Sequence, residues 1–269
     1  MTTKTFPLDA AINLLGRIGH GSFTVTEQDD LTEATVTLAP RSENSDLLES
    51  TLVEMSGRTL SVQTPRQGGI FDLGLLGGRS RREAIDITVT VPSGTAVKIS
   101  AVTADITVTG RSGSADIASG SSTISLGDID GDLRLRYGSG TARVGSVSGS
   151  VEARSGSGDA SFGDIGGALS AGCGSGNLDV ASVRGSVRSR AGSGAASLGA
   201  VYGDVDVARG SGSIAIGLPA GQPARLDVTT GSGRVDSDLP IEDSPATQHN
   251  PITVRARTGS GNVRLFRAA

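Results

Sequence analysis

The sequence predicts an all-β fold, a single-stranded parallel β-solenoid with about 18 residues per coil. The first indication is a Gly-Ser-Gly triplet (once Gly-Ser-Ser) whose first glycine lies at 120, 138, 156, 174, 192 and 210, with a constant step from each triplet to the next. The second is a Gly-x-apolar-x-apolar pattern that occurs twice in each step, at half-step intervals. The third is composition, because 40 glycines, five phenylalanines and no tryptophan suit only a narrow core of small aliphatic side chains.

Each repeat reads as two short strands and two bends. When the first glycine of a triplet is counted as place one, apolar residues fall at places five, seven, ten, fourteen and sixteen. Alternation with a period of two indicates strands with one buried face. A unit of this size buries that face only when it stacks on copies of itself. A strand follows each triplet, so the triplet is expected to form a bend and not a phosphate-binding loop.

Three segments are predicted from the places where the period holds and fails. Residues 1–90 form a strand-rich region that caps the solenoid, 91–236 form the regular solenoid, and 237–269 form a polar loop and a closing strand pair. The closing pair, 252–257 and 262–266, is expected to be hairpin-like. Within 1–90, strands are predicted at 22–26 and 35–38, a hairpin at 51–63, and a short helix at 42–50 with Ser42 or Ser45 as its N-cap.

A loop rich in glycine and apolar residues is predicted from Gln67 to Arg82. One interpretation is a docking loop for a partner or a second subunit, because exposed apolar patches mark such sites. The alternative is a loop folded over the open end of the core. The candidate partner-binding residues are Ile70, Phe71, Leu73, Leu75 and Leu76.

A second candidate surface is a basic strip at places fifteen and seventeen, on the outward face of the second strand of each coil. Stacked guanidinium groups could bind carboxylates, phosphates or an anionic glycan. Glu152 and Asp206 share the strip, so the alternative is a solvated face with cross-strand ion pairs. The strip consists of Arg134, Arg136, Arg154, Arg188 and Arg190.

No constellation of residues indicates catalysis, and the chain is expected to be a non-enzymatic protein without a cofactor or metal. Both histidines, His20 and His249, lie outside the repeats. A Ser-His-Asp arrangement would therefore have to bridge the irregular ends. Cys173 stands beside a bend and is expected to be a small core or edge residue. The aspartates at place nine are interrupted by Ser and Ala, which argues against calcium-binding nonapeptide repeats.

From the net charge and the targeting signals, the chain is expected to be a soluble, cytoplasmic protein. The formal net charge of −4 does not favour binding to nucleic acid. The single cysteine excludes an internal disulfide framework. The first residues lack a basic segment followed by an apolar one, and no apolar run is long enough to insert into a membrane. An exported form remains the alternative.

The repeat Gly-Ser-Gly-x-Ala-x-Val-Gly, the turn at Val91–Gly94 and the closing 254–263 segment resemble a known family. It is the bacterial putative-adhesin family of unknown function with β-strand repeats, in particular its actinobacterial members. The resemblance implies a β-solenoid and supplies no catalytic residues. The expected function is a scaffold or protein-interaction module that presents stacked side-chain columns to a partner or to itself. The alternative is an exported, adhesin-like protein that binds a surface or a glycan.

Overall fold

The computed structural model describes residues 1–8, 11–42, 46–65, 83–239 and 251–268. Within these ranges the chain forms twenty β-strands and one short helix, which confirms the all-β class. The chain divides into two compact units, residues 1–128 and 129–269. The division into segments 1–90, 91–236 and 237–269 stays a prediction.

Unit 1 contains eight strands and the helix. Its elements are β1 (Thr2–Pro7), β2 (Asn13–Gln28), β3 (Glu33–Pro40), α1 (Leu47–Ser50), β4 (Leu52–Ser56), β5 (Thr59–Gln63), β6 (Ile85–Pro92), β7 (Ala96–Ser112) and β8 (Ser114–Ile129), which ends at the boundary.

Strand β2, near the N-terminus, is inserted among strands that follow it in sequence. It pairs in parallel with β5 and β6 on one side and with β7 on the other. The antiparallel strands lie farther out, where β3 pairs with β6 and β1, and β4 pairs with β5. Part of segment 1–90 therefore belongs to the parallel sheet itself, and β1, β3 and β4 supply its antiparallel border.

The hairpin at 51–63 is confirmed as β4 and β5, with Gly57 in the left-handed region at its turn. Among the described residues of the predicted helix at 42–50, the helix spans Leu47 to Ser50 and does not include Ser42. Asp46 is its N-cap residue, without a side-chain capping bond. The hydroxyl of Thr51 bonds back to the carbonyl of Leu47, which closes the turn instead of extending it. Ser45 lies outside the described residues.

Unit 2 consists of short strands separated by bends. They are β9 (Leu133–Val144), β10 (Val151–Ile165), β11 (Leu169–Ser175), β12 (Leu178–Val183), β13 (Val187–Ser193), β14 (Ala196–Val201), β15 (Val205–Ser211), β16 (Ile214–Leu218), β17 (Ala224–Ser232), β18 (Val235–Ser237), β19 (Ile252–Ser260) and β20 (Val263–Arg267).

From β9 to β16 each strand pairs in parallel with the strand that lies one repeat away. Val151, for example, is opposite Leu133 on one side and opposite Leu169 on the other. The same register continues from β11 through β13 to β15 and from β12 through β14 to β16. Residues at the same place of successive repeats are therefore direct neighbours, and each place forms a column.

The predicted hairpin of the last two strands is wrong, and so is their closing role. Strand β19 pairs in parallel with β15 on one side and with β17 on the other. Strand β20 lies in the same way between β16 and β18. Parallel strands need a long connection, and the segment between Ser237 and Ile252 lets the chain step back over β17 and β18.

The core is the set of inward columns that the repeat predicts. Place seven from Leu126 to Ile216 and place fourteen from Leu133 to Val205 hold buried apolar side chains, with Phe162 as the one aromatic member. In unit 1 the largest fully buried side chain is Phe23, whose strand neighbours are Ile87 and Ile106.

Candidate functional site

The predicted basic strip lies in unit 2, where the strand register sorts its residues into two parallel columns. The first column alternates in charge and runs Arg134, Glu152, Ser170, Arg188, Asp206, Arg255 and Asp227. The second column has no acidic residue and runs Arg136, Arg154, Gly172, Arg190, Ala208, Arg257 and Thr229. Together the two columns are called the arginine face below.

The arginine face carries an excess of positive charge. Its first column has three arginines and three acids and is formally neutral, whereas its second has four arginines, so the face carries a formal charge of +4. The chain as a whole has a formal charge of −4. The remaining residues therefore sum to −8, and the positive charge is local to this face.

Each acid of the first column bridges two arginines. Glu152 contacts Arg134 at 3.1 Å and Arg154 at 3.0 Å. Asp206 contacts Arg190 at 2.9 Å and Arg188 at 3.9 Å. Three of these four ion pairs join neighbouring strands, as the alternative interpretation expects, and the Glu152–Arg154 pair lies within β10.

The third acid, Asp227, repeats this arrangement with Arg257 at 3.0 Å and Arg255 at 3.9 Å. The six paired arginine side chains are between 56% and 72% exposed. Exposed pairs of this kind stabilise a fold by only about 0–1 kcal/mol each. The main effect of these ion pairs is that one carboxylate fixes the positions of two guanidinium groups. Each group of one acid and two arginines therefore keeps a net positive charge.

Sequence reasoning missed Arg255 and Arg257. The constant step between triplets fails after Gly212, because β17 skips one strand position beside β15 and β19 later fills it. A signal was nevertheless present, since Val254-Arg-Ala-Arg257 repeats the apolar-Arg-apolar-Arg pattern of Leu133-Arg-Leu-Arg136.

Aspartate and asparagine side chains at the bends act as structural acceptors. Asp159 Oδ1 accepts the backbone N–H of Asn177 at 2.8 Å, and Asn177 Oδ1 accepts that of Ala195 at 2.9 Å. At the other bend Asp132 Oδ1 accepts the N–H of Ser150 at 2.8 Å. Each of these carboxylates and amides thus satisfies a donor one coil away. In the described part of the chain no cluster of three His, Cys, Asp or Glu residues is arranged to hold a metal ion.

Beneath the outward columns, unit 2 contains a small cavity of about 20 Å³. Its polar lining includes Tyr137, Arg154, Ser155, Cys173, Ser189 and Arg209. The Tyr137 hydroxyl donates to the carbonyl of Asp159 at 2.9 Å, and burial raises the pKa of this phenol. Cys173 is half-buried and accepts from Ser155 Oγ at 3.0 Å, which fits the expectation of a small edge residue.

The apolar residues Ile70, Phe71, Leu73, Leu75 and Leu76 lie outside the described residues, so their proposed docking role stays a prediction. His20 lies in unit 1, beside a shallow depression that also includes Arg41 and Asp105. His249 is outside the described residues.

In unit 1 a carboxylate–guanidinium pair joins β6 to the end of β3. Arg41 donates to both oxygens of Asp86 at 2.7–3.1 Å, and Ser22 Oγ donates to Asp86 at 2.6 Å. The hydrogen bonds from Arg41 are the main reason why the pKa of Asp86 lies below its ordinary value of 3.8. This pair is distant in sequence from the arginine face and has a structural role.

The Asp86 pair predicts a pH-dependent difference between the wild type and Arg41→Met. The pKa of Asp86 is lower in the folded chain than its ordinary value of 3.8 in the unfolded chain. The ionised carboxylate therefore stabilises the fold fully above pH 3.8, and this stabilisation is lost as pH falls through the folded-state pKa. Because Asp86 is 37% exposed, the wild type is expected to exceed the variant by only about 0.5 kcal/mol at pH 7. Urea unfolding at a series of pH values should show this difference shrinking below pH 4. A difference that grows at acid pH would contradict the prediction.

The Toastrack DUF4097 family model matches residues 22–268. The chain belongs to the Toastrack DUF4097 family. This membership confirms the resemblance to a putative-adhesin family of unknown function, while the actinobacterial type stays a prediction. No curated protein matches the chain.

Solved structures similar to this member of the Toastrack family include a putative adhesin from Bacteroides fragilis NCTC 9343. It is 12% identical, with 98% of this chain and 96% of that chain covered and a TM-score of 0.47. A putative cell adhesion protein from Clostridium sporogenes ATCC 15579 is 10% identical, with 99% of each chain covered and a TM-score of 0.24. A putative lipid binding protein from Parabacteroides distasonis ATCC 8503 is 10% identical, with 99% and 97% covered and a TM-score of 0.33.

A search for membrane-spanning helices gave none in the part of the chain that the structure describes, since no helix there is both long and apolar enough.

Proposed function

We propose that the chain is a non-enzymatic β-solenoid scaffold of stacked two-strand coils that acts in the cytoplasm by binding an acidic protein partner. The arginine face of unit 2 is the proposed binding surface, on coils of about 18 residues each. The supporting observation is its second column, which holds four arginines and no acid, next to a first column that holds the guanidinium groups in place. Repeat proteins use fixed surfaces of this kind for recognition.

The dimensions of the face suit an extended acidic segment. Seven coils at about 4.8 Å per strand separate the first and last members of each column by about 29 Å. Several carboxylates of an extended acidic segment that lies along the second column could therefore each bind one of its arginines. Guanidinium groups bind carboxylates in bidentate geometry, which adds specificity to the charge attraction.

A charge-matched comparison tests the proposal. One variant replaces the second-column residues Arg136, Arg154, Arg190 and Arg257 with serine. The control replaces four exposed arginines that lie off the face, Arg143, Arg184, Arg234 and Arg264. Both variants lose the same charge, so only a surface-specific interaction separates them.

Binding of a fluorescent oligoglutamate peptide is measured by anisotropy. The second-column variant is expected to weaken binding by about tenfold or more, and the control by about threefold or less, because four exposed charge contacts are lost only in the first. Equal weakening in both variants would mean that net charge alone attracts the peptide, and the proposal would be wrong.

The second candidate is an exported, adhesin-like protein that binds an anionic glycan. The same acid-free column supports it, since sulfate and carboxylate groups of a glycan also bind guanidinium groups. Titration with heparin in the same assay discriminates the two ligand classes. Fractionation of the native cells adds a test of location, because recovery in the extracellular or surface fraction would favour the exported form.

A further inference from the structure

One buried charge in unit 2 has no counter-charge. The Arg209 side chain is only 5% exposed. Its guanidinium donates to Ser189 Oγ at 2.9 Å and to the carbonyl of Ala208 at 3.2 Å, while Nε has no hydrogen-bond partner. Across the described ranges, no carboxylate lies within ion-pair distance of Arg209.

The lining of the cavity beside Arg209 includes no acidic residue, and its polar groups are hydroxyl, thiol, amide and backbone. Arg154 also lines the cavity, but its side chain is exposed and paired with Glu152, so Arg209 supplies the charge of the site. The phenol of Tyr137 does not neutralise the cavity, because burial raises its pKa and keeps it protonated at neutral pH. Arginine keeps its proton in proteins. The cavity is therefore positively charged on balance.

We infer that this cavity binds one small monovalent anion of the size of chloride, with the buried guanidinium of Arg209 as its principal ligand. A buried charge destabilises the folded state unless it is paired and hydrogen-bonded. An anion bound beside Arg209 supplies the counter-charge that the chain does not provide, and so stabilises the folded state. The unpartnered Nε–H of Arg209 is a donor available for this contact.

The size of the cavity selects the class of anion. A volume of about 20 Å³ accommodates one species not much larger than water. Sulfate, phosphate and organic carboxylates exceed it, whereas a halide fits. The site is thus distinct in ligand class from the arginine face, whose exposed columns suit polyanionic partners.

Halide-dependent thermal unfolding of the full chain is the test. Sodium chloride replaces sodium gluconate at constant ionic strength, and the melting temperature Tm is recorded for the wild type, Arg209→Met and Arg143→Met. Binding to the folded state alone raises Tm with the logarithm of the chloride concentration above Kd, by about 3 °C when chloride reaches roughly ten times its Kd. We expect this rise in the wild type and in Arg143→Met, where an exposed arginine is lost. It should be absent in Arg209→Met.

A second measurement covers the case in which Arg209→Met does not fold. Anomalous diffraction from wild-type crystals soaked in sodium bromide should show a peak within contact distance of Arg209 and Ser189. A flat Tm in the wild type together with an empty or water-filled cavity in the bromide data would overturn the inference. An equal rise in Tm for the wild type and Arg209→Met would overturn it as well, since the effect would then be general.

Discussion

Replacing Phe23 with alanine lowers the free energy of unfolding by about 3–5 kcal/mol. Phe23 is completely buried in unit 1, opposite Ile87 and Ile106, and its ring also covers Gly16, where a Cβ atom would lie 2.7 Å from Phe23 Cζ. A core so poor in aromatic residues has no neighbouring side chain large enough to fill the space. Urea unfolding monitored by circular dichroism measures the loss.

The matched control for Phe23 is Val102→Ala. Val102 also belongs to unit 1 but is 58% exposed, so its truncation is expected to change stability by about 0.5 kcal/mol or less. Similar losses in Phe23→Ala and Val102→Ala would show that Phe23 does not occupy the core position that the structure assigns to it.

Replacing Gly194 with alanine is expected to cost about 2–4 kcal/mol, through backbone strain and overpacking. Gly194 is the second glycine of its triplet and has a φ of 108°. A Cβ atom at this position would also overlap the carbonyl of Gly176 in the next coil. Both effects come from the stacking of one bend on another, so neither is relieved by moving a side chain. Urea unfolding reports the loss.

Gly172→Ala is the control for Gly194. Gly172 lies in β11 without a positive φ, and a Cβ atom there meets no heavy atom within 4 Å. Alanine at this position is expected to leave stability unchanged or raise it by up to about 1 kcal/mol. A loss in Gly172→Ala equal to that in Gly194→Ala would contradict the role given to the stacked bends.

The sequence predicts the columns of unit 2 well because a repeat of fixed length determines which side chains become neighbours. Arg134, Glu152 and Arg188 could be assigned to one column by counting, and the strand register confirms this. The inward places could be assigned in the same way. Counting works from β9 to β16 because each repeat there has the same number of residues, so the register does not shift.

Two insertions could not be predicted by counting. Strand β2 lies between β6 and β7, and β19 lies between β15 and β17, although each is remote in sequence from at least one neighbour. Alternation of apolar and polar residues predicts a strand but does not predict which strands it pairs with. Which strands β2 and β19 pair with depends on which free sheet edge the chain reaches, and a long connection allows the chain to reach more than one edge.

Arg209 illustrates a different limit. Its position at place eighteen, near the end of β15 and three residues after Asp206, looks like the approach to an ordinary bend. Burial becomes visible only when the small residues of preceding coils, such as Ser189 and Cys173, are seen to leave room for its side chain. Space left by several small side chains is a property of the stack and not of any single repeat.

The position of β19 is the feature on which the arginine face most depends, since it brings Arg255 beside Asp206 and extends both columns. Engineered disulfides between triplet serines test it directly. Ser211 is opposite Ser260, and Ser260 is opposite Ser232. Ser211 and Ser232 are two strand spacings apart, about 10 Å, which exceeds the reach of a disulfide of about 7 Å.

The measurement is the rate of disulfide formation in a Cys173→Ser background, followed by mass spectrometry of the oxidised chain. The account predicts rapid bonding in Ser211→Cys/Ser260→Cys and none within the folded monomer of Ser211→Cys/Ser232→Cys. The opposite pattern would place β17 directly beside β15. The arginine face would then lose the continuity between Asp206 and Arg255 on which its extended columns rest.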